Sequence, residues 1–264
     1  MMLTVQGTEA YAYTGGKAFD PALPCIVFIH GALNDHSVWT LLARWFAHHG
    51  FGVLAVDLPG HRRSAGPALQ DIEAMAGWTL ALLDAAGVEQ AALAGHSMGS
   101  LVALEAAARA PERVTRLAML ATAYPMAVPK ALLELSLEAP LKAIDRVVVN
   151  SFSTLAAKPS YPGPGVWLRG AGRQLMRLVL RRDATLFHTD FAACDRYANG
   201  LQAAASVRCP AHLLLARDDR MTPTRATKEL AVALKAEVHM LPAGHFLMQE
   251  CPDGVLNAMR IAMT

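Results

Sequence analysis

Between Cys25 and Leu241 the chain repeatedly sets a short apolar run against a stretch of helical period, and few folds accommodate that alternation. "CIVFI" (25–29) is apolar at every position, which marks a strand covered on both faces. From His36 the period becomes helical: Trp39, Leu42 and Phe46 recur three to four residues apart, and Gly50 supplies a stop. "VLAV" (53–56) is the next strand. A second helix is predicted from Asp71, with Ile72, Met75, Thr79 and Leu83 on one stripe and Gly87 beyond its end. "AALA" (91–94), a helix after Ser97, and "LAMLA" (117–121) continue the series. Ahead of it, "LTVQ" and "AYAY" flank Gly7-Thr8 and predict a hairpin. Strands alternating with helices imply a mostly parallel, doubly wound sheet.

The alternation stops at about Ala123 and returns after Ser206. The intervening stretch reads as helical, with a Pro/Gly-rich break at "KPSYPGPG" (158–165). "HLLLA" (212–216), a helix near Ala226–Leu234, "EVHML" (237–241) and a helix near Asp253–Met263 then complete the chain. The predicted organisation is one α/β core, 1–122 plus 207–264, with a helical insertion at 123–206. Charge follows the same division. The insertion holds 10 Lys/Arg and 6 Asp/Glu, whereas the core holds 14 and 16.

Composition excludes several classes. The 264 residues suffice for one large domain with an insertion, and 53% hydrophobic against 17% charged residues permits a sizeable core. A net charge of +2 gives no reason to expect a nucleic-acid partner. Cys25, Cys194, Cys209 and Cys251 are widely spaced with no CxxC pair, so free thiols are expected and a zinc site is not. The start "MMLTVQGTEA" lacks a secretion-type apolar core, and no apolar run approaches the ~18 residues of a membrane span. The expected location is cytoplasmic.

The chemistry concentrates where "AALA" meets the following helix. Gly95, His96, Ser97, Met98 and Gly99 form a G-x-S-x-G turn between strand and helix. Such a turn holds its serine in a strained conformation, and glycines two residues to either side keep the bend free of collisions. The serine hydroxyl is presented beyond the sheet, and the Met98 N–H is left at a helix N-terminus to donate to an oxyanion. A serine needs a base, and the base needs an orienting group. "LLLARDDRMTP" offers Asp218 and Asp219 after one late strand, and "EVHMLPAGHFLMQECP" offers His245 after the last. The plainer readings are a helix cap for Ser97 and a structural loop histidine for His245.

Taken with "FIHGALNDHSVW" (28–39) and "VDLPGHRRS" (56–64), these motifs make the sequence resemble the α/β-hydrolase superfamily over essentially its whole core. The resemblance implies an eight-stranded, mostly parallel sheet flanked by helices, with an inserted helical lid. It implies Ser97 as nucleophile, His245 as base, and the N–H groups of Ala32 and Met98 as oxyanion hole. In the family pattern the acid stands four residues before the loop proline, here Pro223, which selects Asp219 over Asp218. His30, His96 and Asp57 are expected to fix backbone rather than act on substrate. The sequence departs from the pattern at Arg62, Ser100 and Ala216, where glycine is common.

The implied activity is cofactor-free, metal-free hydrolysis of a small apolar carboxylic ester. Lactonase, thioesterase and carbon–carbon bond hydrolase remain open, as does a non-turnover receptor on the same fold. The lid arginines Arg173, Arg177 and Arg181 fall at i, i+4 and i+8, opposite Leu175, Leu178 and Val179. Their expected role is a solvated face rather than recognition of an anion.

Overall fold

The computed structural model describes residues 1–154 and 167–264. The predicted break at 158–165 lies outside the described residues. The strands are β1 (Met2–Val5), β2 (Thr8–Tyr13), β3 (Cys25–Ile29), β4 (Gly52–Val56), β5 (Ala91–His96), β6 (Val114–Leu120), β7 (Ala211–Ala216) and β8 (Glu237–Leu241). They form one sheet in the order β1-β2-β4-β3-β5-β6-β7-β8. The β1–β2 and β2–β4 pairs are antiparallel and all the others are parallel. The hairpin turn lies one residue earlier than expected. Gln6 and Gly7, both with positive φ, make the turn, and Thr8 already pairs with Val5.

The run "CIVFI" is apolar throughout because each face of the sheet is covered. Ile26 and Phe28 join Trp39, Phe46, Val255 and Met259 on one side. Val27 and Ile29 join Leu82, Leu83, Leu101 and Leu104 on the other. The helices on the first face are α1 (Thr40–Ala47) and, at the end of the chain, α11 (Pro252–Met263). On the second are α2 (Ile72–Ala85) and α3 (Met98–Arg109). The helical period from His36 begins as a short 3-10 turn, 36–39, because Asp35 caps it by accepting from Ser37 N at 2.8 Å. Asp71 likewise caps α2, accepting from Ala74 N at 2.7 Å.

Between β6 and β7 run α4 (Lys130–Glu138), α5 (Pro140–Ser151), α6 (Leu168–Leu180), α7 (Leu186–Arg196) and α8 (Gly200–Ser206). No strand occurs among the described residues of this segment. The first four pack on one another, whereas α8 lies against α3 and against α9 (Lys228–Leu234). The predicted helix at 226–234 opens as a 3-10 turn, and α9 proper begins at Lys228. The short α10 (Leu247–Glu250) precedes α11. No described helix is long and apolar enough to cross a membrane. Winding reverses at β3, which lies between β4 and β5, and open α/β sheets place their sites at the carboxyl ends of strands flanking such a point.

Candidate active site

Ser97 sits at that point, in the turn from β5 to α3. Its φ of 53° and ψ of −119° are rare for a residue with a side chain and cost about 1–3 kcal/mol. The glycine spacing has a direct steric cause. A Cβ on Gly95 would lie 2.0 Å from Gly99 O, and one on Gly99 would lie 2.3 Å from Ile29 O. Ser97 N donates to Leu120 O at 2.9 Å, tying the bend to β6. Ser97 makes no side-chain capping bond to α3, so the helix-cap reading fails. Ser100, where glycine is common, reinforces the turn: its Oγ bonds Ser97 O and lies 2.8 Å from Thr122 Oγ1.

Asp219 and His245 come together. His245 Nδ1 lies 2.9 Å from Asp219 Oδ2, both side chains being buried. The other carboxylate oxygen, Oδ1, accepts from the N–H groups of Met221 and Thr222, each at 2.8 Å. Burial opposes ionisation of Asp219, but the charge and hydrogen bond of His245 and the bonds from Thr222 outweigh it. They hold the carboxyl below its ordinary range. With Nδ1–H given to a carboxylate, the opposite ring nitrogen of His245 is the one able to take a proton. Asp218 points away: it is exposed and faces Arg217 at 3.9 Å.

Thr222 was missed at the sequence level, although it stands within "RDDRMTP". Its hydroxyl lies 2.7 Å from Asp219 Oδ2, 3.1 Å from His245 Nδ1 and 3.0 Å from Ala121 O, bracing the Asp219–His245 pair. The His245 loop is held from two other sides. His96 Nε2–H donates to His245 O at 2.9 Å. Burial pushes the His96 imidazole down to about 3, so it is neutral. Glu250 Oε1 accepts from Ser153 N and Gly244 N, and its Oε2 takes the Ser153 hydroxyl. Gly244 is obligatory in that packing, since a Cβ would stand 2.6 Å from Ser153 N.

The Ala32 N–H finds no acceptor among the described residues, and the Met98 N–H, opening α3, has none within its helix. His30 shapes the turn before Ala32. Its Nδ1–H donates to Gly31 O at 2.8 Å and its Nε2 accepts from Leu58 N at 3.1 Å. Asp57 is similarly absorbed, accepting from His36 N, His36 Nδ1 and Arg63 N. Arg62 has a φ of 41°, the left-handed backbone that explains why glycine is common there. A second buried pair escaped the sequence reading. Asp190 of α7 accepts from Leu33 N at 2.7 Å and meets His61 Nε2 at 3.0 Å. Burial lowers His61, but the charge and hydrogen bond of Asp190 outweigh it and raise its pKa above the ordinary value. The pair links an inserted helix to the loop carrying Ala32.

Ser97 and His245 both line a cavity of about 430 Å³, together with Ala32, Asn34, His96 and Thr222. Its remaining wall is mainly apolar and comes largely from 123–206, with Met126, Leu132, Val147, Met176 and Phe191 among its residues. No hydrogen bond joins Ser97 to His245 among the described residues. Arg173 and Arg177 of the inserted segment do not form a free solvated row. Arg173 and Arg177 reach Asp145 of α5 at 2.7 and 3.7 Å, joining α5 to α6, while Met176 and Val179 form the buried face.

Over residues 26–258 the chain matches the model of the alpha/beta hydrolase family, and it belongs to that family. A hydrolase from Acinetobacter baylyi acting on (E)-2-((N-methylformamido)methylene)succinate is 24% identical over 89% of this chain and 88% of its own. The acetyltransferase component of the acetoin cleaving system of Pseudomonas putida is 40% identical, but over 41% of this chain and 28% of its own. The chain spans about a third or less of the length of the first curated relatives that it matches. Among solved structures, the enol-lactonase from Burkholderia xenovorans LB400 superposes with a TM-score of 0.83 at 23% identity, covering 100% of this chain and 99% of that one. That likeness is one of fold.

Proposed function

We propose that the chain is a serine hydrolase of carboxylic esters. The observation that carries this reading is the buried Asp219–His245 pair beside a strained Ser97, with serine and histidine on one largely apolar cavity. Ser97 Oγ attacks the ester carbonyl while His245 takes its proton. The oxyanion is met by the N–H groups of Ala32 and Met98, which are fixed before substrate arrives. Collapse expels the alcohol, protonated by His245, and leaves an acyl-enzyme. Water attacks that ester with His245 again as base, releasing the acid and restoring Ser97. The inserted helices serve as a cap that shapes the cavity for small apolar groups. Every nucleophile and proton in this scheme comes from Ser97, His245 and water. A panel of chromogenic esters of graded acyl length, with lactones and thioesters beside it, tests the proposal. Ester turnover with a defined optimum supports it. Binding without turnover across the panel would make the chain a receptor.

One observation favours a narrower reading. Arg146 and Arg220 line the same cavity, and neither has a carboxylate partner among the described residues. They suit an ester or lactone that also carries an acidic group. A hydrogen bond to a charged group contributes about 1.5–3 kcal/mol. Arg146→Gln should therefore lower kcat/KM by about tenfold or more on an acid-bearing ester, and leave its neutral methyl-capped analogue unchanged.

A further inference from the structure

At the opposite end of the last two strands lies a cluster that the ester chemistry does not use. His212 is the second residue of β7, and Glu237 and His239 open β8. His212 pairs across the ladder with Glu237, and Leu214 with His239, so the three side chains emerge on one face. His212 Nδ1 is 3.2 Å from His239 Nε2. The carboxylate straddles both rings, with Oε2 3.7 Å from His212 Nδ1 and Oε1 3.6 Å from His239 Nε2.

We propose that His212, Glu237 and His239 form a three-ligand site for a divalent cation of borderline softness, with zinc the best fit and water as fourth ligand. Zinc takes imidazole nitrogen at about 2.0–2.1 Å and carboxylate oxygen at about 2.0–2.2 Å, so the ligand atoms of a tetrahedral site stand about 3.4 Å apart. The two ring nitrogens, 3.2 Å apart, stand within a few tenths of an ångström of that value, each has one of the two Glu237 oxygens at 3.6–3.7 Å, and one ligand atom from each of the three residues lies within 4.8 Å of the others. Hydrogen bonding accounts for less of the arrangement. One proton can bridge the two imidazoles, but 3.6 and 3.7 Å are too long for the carboxylate to bond either ring. Access is open, since Glu237 is exposed and His239 partly so. The neighbouring cation, Arg116 of β6, is committed elsewhere and donates to Thr264 O at 2.8 Å. Cysteine spacing could not reveal such a site, because none of its ligands is a cysteine.

The ion would clamp β7 to the edge strand β8. Asp219 follows one of these strands and His245 the other, so the clamp is structural, far from the reacting atoms. The test uses the full chain stripped with a chelator, then titrated calorimetrically with zinc chloride and spectroscopically with Co²⁺. One equivalent is expected, with the intense visible absorption of four-coordinate cobalt and a raised Tm. His239→Ala and Glu237→Gln should keep the wild-type circular dichroism and turnover. Each should weaken zinc binding more than ~100-fold, since loss of a mere supporting contact to a ligand already costs up to about that. Calcium and magnesium, which prefer all-oxygen sites, should not compete. Equal zinc affinity in the wild type and both variants, or six-coordinate cobalt in the wild type, would overturn the proposal whatever the ester assays show.

Discussion

Asp218 and Asp219 are neighbours of identical chemistry, and their surroundings give them opposite prospects. Asp219 is buried with all its contacts aimed at His245 and its bracing loop, while Asp218 is half exposed beside Arg217. Asp219→Asn keeps the shape and removes the charge that steadies the imidazolium. In a serine-protease triad the equivalent change lowered kcat by ~10⁴, and a loss of that order is expected here. Asp218→Asn should cost less than about tenfold, because exposed ion pairs contribute little. Parallel assays on one ester decide the point, and an inactive Asp218→Asn beside an active Asp219→Asn would reassign the acid. The same contacts bear on stability. Asp219 is held below the ordinary carboxylate value, so its contribution is present above that value and is lost as pH falls through the lowered one. The Tm gap between wild type and Asp219→Asn should therefore close in acid.

At the scale of elements, central strands such as β3 and β4 were legible because they carry no polar side chain and are buried throughout, and each neighbouring helix carries a separate 3.6-residue stripe. Phe46, fully buried on α1 against Phe28, is such a stripe position, and Phe46→Ala should cost about 3–5 kcal/mol by denaturant titration. The placing of Ser97, Asp219 and His245 was legible for a different reason: each is set by a local turn. The contacts that fix the loops relative to one another were not. Asp190 meets Leu33 N across 157 positions and His61 across 129, and Glu250 meets Ser153 across 97. No periodicity relates such pairs, since only the assembled fold brings them together. The Asp190–His61 pair carries a pH signature. With His61 raised, its contribution is full below the ordinary histidine value near 6.5 and is lost as pH rises through the raised value. Asp190→Asn should lower stability by about 1–3 kcal/mol at pH 6 and by less in alkali, as read from Tm against pH. A deficit independent of pH would show that the pair is not charged in the fold.

Across the whole molecule, a sheet covered on both faces carries Ser97, Asp219 and His245 at its carboxyl edge, and residues of the inserted helices line the same cavity as Ser97 and His245. These helices reach the core loops through polar links such as Asp190 to Leu33 and Glu250 to Ser153. Amide exchange should therefore be faster through 123–206 than through the core strands, and uniform protection would contradict a separable cap. The account as a whole rests on Ser97. Ser97→Ala should fold as the wild type does, judged by circular dichroism and Tm. On the best ester of the panel its kcat should fall by at least ~10⁴, and mass spectrometry should find an acyl adduct on Ser97 of the wild type and none on the variant. Turnover by Ser97→Ala near the wild-type rate would contradict the mechanism at its root.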